Sequence, residues 1–224
     1  MIDHGGIQLG PVWIANTVVT TWGLLIFFAV GCWWLTRSLQ LAPGPLQTAV
    51  EGVVGAIHHV IVQVLPQHGP LVLPFVATLW IFLVAANLVG LIPGLVTPTG
   101  DLATTSALAV LVFLSVHWFG IRSQGPRRYL GHYLRPSPIL LPFHVIGEFT
   151  RTIALALRLF GNMMSMDMAA MLVLMVVGLL APVPLLMLHV VEALVQAYLF
   201  GMLALIYVAG GIHSQQLQRH RKER

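Results

Sequence analysis

The sequence predicts an all-α polytopic membrane bundle. It has five membrane-crossing helices, one amphipathic helix on the cytoplasmic face, and a long tilted helical hairpin over residues 139–212. Three observations predict it. The chain is 58% hydrophobic and 8% charged, with a mean hydropathy of +0.88, whereas a soluble domain carries about 25% charged residues. Its apolar runs reach the ~20 residues that a helix needs to cross the hydrocarbon layer. Clusters of Pro and Gly separate those runs, at Pro43-Gly44-Pro45, Pro66 to Pro70, Pro93 to Gly100, and Pro182 with Pro184.

The first span is expected over residues 11–36. No charge lies between Asp3 and Arg37, and Trp13, Trp33 and Trp34 stand at its ends like interfacial anchors. Residues 46–65 mix Gln47, Glu51, His58, His59 and Gln63 with Val, Ile and Ala, so this helix is expected to lie along the membrane surface. Residues 71–92 and 102–121 form a hairpin of two spans, and residues 122–137 form a basic cytoplasmic loop with Arg122, Arg127, Arg128 and Arg135. Residues 139–180 are too long for one upright crossing. Residues 185–212 complete the bundle, and residues 213–224 are a basic tail.

The formal charge is +4, and its arginines and single lysine lie mostly between apolar runs or at the C-terminus. Such charges set topology. No basic stripe is interleaved with aromatics, so nucleic acid is excluded as a partner. The positive-inside rule puts Arg37, the basic loop and the tail in the cytoplasm, with the N-terminus and the Asp101 loop outside. Met1-Ile2-Asp3-His4 lacks a basic n-region, so no cleaved signal is expected. Cys32 is the one cysteine, which excludes an internal disulfide and a cysteine metal site. No metal and no cofactor are expected: His58 and His59 suit an interface, and Met163, Met164, Met166 and Met168 suit packing.

The chemistry-bearing residues are those that a membrane span carries at a cost. A charge at the bilayer centre costs at least ~2.5–3.5 kcal/mol. Yet residues 139–180 hold His144, Glu148, Arg151, Arg158, Asn162 and Asp167, and the last helix adds His189, Glu192 and Gln196. A bundle tolerating all of these is expected to line a water-filled or ion-carrying path. At about 100° per residue, Arg151 and Arg158 share one face and Asn162 adjoins Arg158. Asp167 falls on the opposite side, ~13.5 Å further along, so it cannot form an intrahelical salt bridge with Arg158. His189 and Gln196 share a face, with Glu192 beside it. Glu148 and Arg151 can equally be a mutually satisfied pair, and Asp167 or Glu192 can pair with each other or with His189.

The run Leu157-Arg158-Leu159-Phe160-Gly161-Asn162-Met163 resembles the hallmark of the a-subunit of F-type ATP synthases. Asn87 to Gly94 with Pro98-Thr99-Gly100-Asp101-Leu102 is similar to that family's first hairpin. His189 with Gln196 resembles its last-helix pair, and Asn16 to Trp22 and Leu46 to Glu51 look like its N-terminal elements, so the likeness covers nearly the whole chain. The resemblance implies a non-catalytic stator subunit of the bacterial inner membrane. Its partners would be a rotating ring of c-subunits, b-type stator subunits, other synthase subunits and lipid. Carried over, Arg158 faces the ring carboxylates, and Asn162 and Gln196 orient it or line the path. Asp167 and His189 belong to the outer half-channel, and Glu148 lies nearer the cytoplasmic one. His144 stands where many relatives carry an acid, Glu192 is an added acid, and the N-terminal region is short. These departures resemble a divergent, sodium-type or N-type branch. The coupling ion, proton or sodium, and the direction of working stay open. Two rival readings are a secondary transporter with Arg158 binding an anionic substrate, and a structural scaffold with its ionisable groups paired off. The first lacks the inverted repeat common in transporters.

Overall fold

The structure is a computed structural model, which describes residues 6–9, 12–37, 44–92, 95, 97–125, 141–177 and 182–213. Two short strands, β1 (Gly6–Leu9) and β2 (Val12–Ala15), pair antiparallel with Gly6 opposite Ala15 and Leu9 opposite Val12. Helix α1 (Asn16–Arg37) follows β2 directly. The first span therefore starts at Asn16 rather than at residue 11. Val12, Trp13 and Ile14 are β-branched or aromatic residues that a hydropathy window reads as span and a ladder accepts equally well.

Only Thr17 and Leu24 of α1 are buried. Its Trp22, Ile26, Phe27, Trp33 and Trp34 are exposed, as suits a helix whose outer surface faces lipid. The Arg37 guanidinium lies 4.1 Å from the Trp33 ring centre, a cation–π pairing at the end of the span. The Thr17 hydroxyl donates to Asp101 Oδ2 at 3.2 Å and so ties α1 to the far hairpin.

Helix α2 (Pro45–Val64) begins with proline at its first position, where the missing N–H is an orphan anyway. It separates its two kinds of residue. Gln47 bonds Glu51 at 2.7 Å and Gln63 bonds His59 at 3.0 Å on exposed ground, while Ile57, Val60, Ile61 and Val64 pack into the core. It is not among the five helices that, among the described residues, are long and apolar enough to cross a membrane; those are α1 and the four described next.

Helix α3 (Gly69–Val89) carries Pro70 in its first turn and Pro74 inside. A 3-10 turn, Pro98–Gly100, leads into α4 (Leu102–Gln124), whose N-terminus is capped by Asp101 Oδ1 accepting from Ala103 N at 3.1 Å. Gly125 ends α4 at φ 83°, the left-handed region where a Cβ is disfavoured. Arg122, placed above in the basic loop, belongs to the last turn of α4. The rest of that loop, from residue 126 on, lies outside the described residues, as do the tail from residue 214 and residues 178–181.

Helices α5 (Leu141–Val177, 37 residues) and α6 (Pro182–His213, 32 residues) form the long hairpin. At 1.5 Å per residue α5 is ~55 Å long, against ~30 Å of hydrocarbon, so it stays within the membrane only by lying obliquely. α4 packs on both long helices, and α3 packs on α6 and α2. One core cluster joins α2, α3, α4 and α6 around Ile61, Val76, Trp80, Phe119 and Leu205. The other joins α3 to α6 around Leu83, Val112, Leu155, Leu159 and Phe200. Small residues allow the close approach: Ala109, Ala193, Ala197 and Ala204 are buried, and any Cβ at Gly201 would overlap the Trp80 indole.

Candidate functional site at the interface of the two long helices

The inner face of α5 is set by Leu155, Ala156, Leu159 and Met163, all buried at helical spacing. Arg158 precedes Leu159 by one residue and is therefore turned ~100° away from that face. It is exposed, beside Leu157 at 54% exposure, and it makes no ion pair or hydrogen bond among the described residues. Arg151 is on the same side but is held. Its Nη1 lies 3.4 Å from Glu148 Oε1, and its guanidinium sits 4.7 Å from the Tyr207 ring centre on α6. The spacing of Glu148 and Arg151 thus gives a pair, and of the two arginines only Arg158 has no ion-pair partner among the described residues.

Asn162 lies between Arg158 and the inner face. Its Nδ2 donates to Gln196 Oε1 at 2.6 Å, a direct polar link between α5 and α6. Gln196 is buried on α6 with His189, Ala193, Ala197 and Phe200. His189 Nε2 and Gln196 Nε2 are buried and have no partner among the described residues. A buried polar atom left unpaired costs about 1–3 kcal/mol. Each of these two atoms is therefore better satisfied by a polar neighbour such as water than by apolar packing.

Asp167 lies across the helix from Arg158, as the spacing requires, and is near His189, with no ion pair or hydrogen bond between them among the described residues. It abuts the 3-10 turn: a Cβ on Gly100 would lie 3.4 Å from Asp167 Oδ2. Glu192 is half-buried on α6 and forms no ion pair among the described residues, so its pairing with Asp167 is not seen. His144 is on α5, and its side chain lies outside the described residues. The structure thus brings Asn162 and Gln196 into contact, and Asp167 close to His189. Glu148 with Arg151 forms a separate group near the start of α5.

Sequence reasoning passed over two residues of this region as site members. Asn87 of α3 is wholly buried; its Nδ2 donates to the Ala193 carbonyl of α6 at 3.1 Å, and its Oδ1 accepts from Thr99 Oγ1 at 2.8 Å. The signal was present: Asn87 is the one strongly polar side chain in an otherwise apolar span. Its partners, remote in sequence, were not readable from spacing.

The family model for ATP synthase A chain matches residues 17–209. The chain is 61% identical to ATP synthase subunit a 2 of Pelobacter propionicus, over 96% of this chain and 95% of that one. It is 56% identical to ATP synthase subunit a 1 of Hahella chejuensis, over 92% and 88% respectively. It is 51% identical to ATP synthase subunit a of Legionella pneumophila strain Philadelphia 1, over 97% and 95%.

Proposed function

The chain belongs to the ATP synthase A chain family, and from that premise we propose that it is the ion-conducting stator subunit, with Arg158 working on carboxylates of a rotating c-subunit ring. It is a multi-pass membrane protein and a non-catalytic subunit whose partners are other ATP synthase subunits. The observation that carries the finer reading is Arg158 itself. It is an exposed cation about midway along a membrane helix, with no counter-charge among the described residues. Arginine stays charged where a lysine can lose its proton. An ionised carboxylate presented by the ring offsets the cost of that charge, and an arginine that meets each carboxylate in turn blocks a direct leak between the two sides. The exposed side of α5 is otherwise largely apolar, with Leu157 next to Arg158 and Met164, Met168, Met171 and Leu172 further along the helix. Such a surface suits a greasy, moving partner more than a tightly keyed one.

In this reading Asp167 and His189 belong to the outer half-channel, where Asn162 and Gln196 continue the polar path toward Arg158. Glu148 with Arg151 marks the cytoplasmic side. The b-type stator subunits contact the remaining surface. The membrane is the bacterial inner membrane, with the N-terminus outside and the C-terminus in the cytoplasm. His144 and Glu192 support placing the chain in a divergent N-type or sodium-type branch. An anion transporter would aim its arginine into an enclosed site, and the outward position of Arg158 speaks against that.

The test is a cross-link. Leu157→Cys in the assembled complex is paired with single cysteines along the outer helix of the c-subunit and oxidised. The expected result is a reversible disulfide near the level of the ring carboxylate that stops ATP-driven pumping until reductant is added. Failure to cross-link at any ring position in a fully assembled complex would contradict the proposal.

A further inference from the structure

We propose that Asn87 and Thr99 are positioning residues, which set the α6 face carrying His189 and Gln196 at a fixed distance from Asp167. The inference rests on the ion path proposed above. Asn87 is fully buried and uses both ends of its amide: Nδ2 on the Ala193 carbonyl at 3.1 Å and Oδ1 on the Thr99 hydroxyl at 2.8 Å. Ala193 sits between His189 and Gln196 on the same buried face. Its carbonyl has a second lone pair free beside the helical bond, so it can accept from Asn87 without breaking α6. A slip of one residue along α6 would turn that face by ~100° and take both polar side chains off the interface.

The other end of the link is held by hydrogen bonds of its own. Thr99 belongs to the 3-10 turn whose Gly100 N–H bonds the Thr97 carbonyl at 3.1 Å. Next in the chain, Asp101 caps α4 at 3.1 Å and accepts the Thr17 hydroxyl of α1 at 3.2 Å. The same turn lies against α5, where a Cβ on Gly100 would come within 3.4 Å of Asp167 Oδ2. One turn therefore touches Asp167 on one side and, through Asn87, holds α6 on the other. A single buried asparagine is a known means of fixing helix register at some expense of stability, where apolar packing leaves register loose. Simple glue between helices would not need the acceptor to lie between the two polar residues of the path.

The experiment uses the complete complex, purified and reconstituted in sealed vesicles, with ATP-driven pumping expressed per assembled complex. Thr99→Val keeps the shape and removes the hydroxyl. We expect pumping to fall at least about tenfold, since a displacement of ~1 Å at a reacting site can cost ~10²-fold. Thr99→Ser restores the hydroxyl and is expected to keep the wild-type rate. Thr99→Val added to Asn87→Leu is expected to lower the rate no further than Asn87→Leu alone, because the two act as one link. Should Asn87→Leu fail to assemble, the Val and Ser pair decides alone. Wild-type pumping per complex in Thr99→Val, or equal loss in Val and Ser, would overturn the proposal. So would a loss confined to the amount of complex assembled. Arg158→Ala is run beside them: retention of pumping there contradicts the ion path itself, whereas the Thr99 comparison bears on the link alone.

Discussion

At the scale of single residues, the structure separates side chains that are satisfied within the chain from those that are not. Glu148 and Arg151 have each other and the Tyr207 ring, and an exposed pair of this kind contributes about 0–1 kcal/mol. Asn162 has Gln196 at 2.6 Å. Arg158 has no counter-charge among the described residues. Gln196→Leu preserves bulk and leaves Asn162 without its acceptor, at a cost of about 1–3 kcal/mol. Pumping per assembled complex is expected to drop on the order of tenfold, taking ~1.4 kcal/mol per decade, and Gln196→Glu, which keeps an acceptor, is expected to drop less. Rate measurements in vesicles carrying each variant check this. The opposite placement of Arg158 and Asp167 was legible from their spacing, since helical phase is local. The link from Asn87 to Ala193 was not, because it joins residues 106 positions apart in the chain.

At the scale of elements, helix contacts depend on where a side chain is absent. Any Cβ at Gly201 would overlap the Trp80 indole, which stacks on Tyr198 with ring centres 6.0 Å apart and donates from Nε1 to the Tyr198 carbonyl at 3.3 Å. Gly201→Ala is expected to destabilise the α3–α6 contact by about 1–3 kcal/mol, as overpacking does. Gly210→Ala meets nothing within 4 Å and is expected to be close to neutral. Thermal release of this subunit from the purified complex measures both. The spans were legible because length and apolarity are properties of a run. The β1–β2 pair was not, since its residues also satisfy a hydropathy window. The partner of the Trp80 face was hidden for a different reason: α3 is apolar nearly all round, so its sequence does not say which side is packed.

At the scale of the whole molecule, the five apolar helices make a scaffold in which α3 and α4 brace α6 and α5, and the outer face of α5 is left uncovered. In the proposed function, that division lets a chain with costly charges in its spans stay stable in lipid and still offer Arg158 to a partner. At the α5–α6 interface Asn162 bonds Gln196, while Arg158 is exposed on α5; in the proposed function that exposed cation meets another subunit. The resemblance of residues 157–163 to a family hallmark singled out Arg158 and Asn162 as candidates before any geometry was known. The contrast between Arg151 and Arg158 emerged only when Tyr207 was seen beside the first of them.

That contrast gives the most direct measurement. Arg158→Ala and Arg151→Ala are prepared in the intact complex, assembly is verified, and ATP-driven pumping is compared in sealed vesicles. The account predicts that Arg158→Ala assembles and loses coupled pumping entirely, while Arg151→Ala, which loses only an exposed pair and a ring contact, keeps most of it. Normal coupled pumping in Arg158→Ala, or equal loss in both variants, would contradict it.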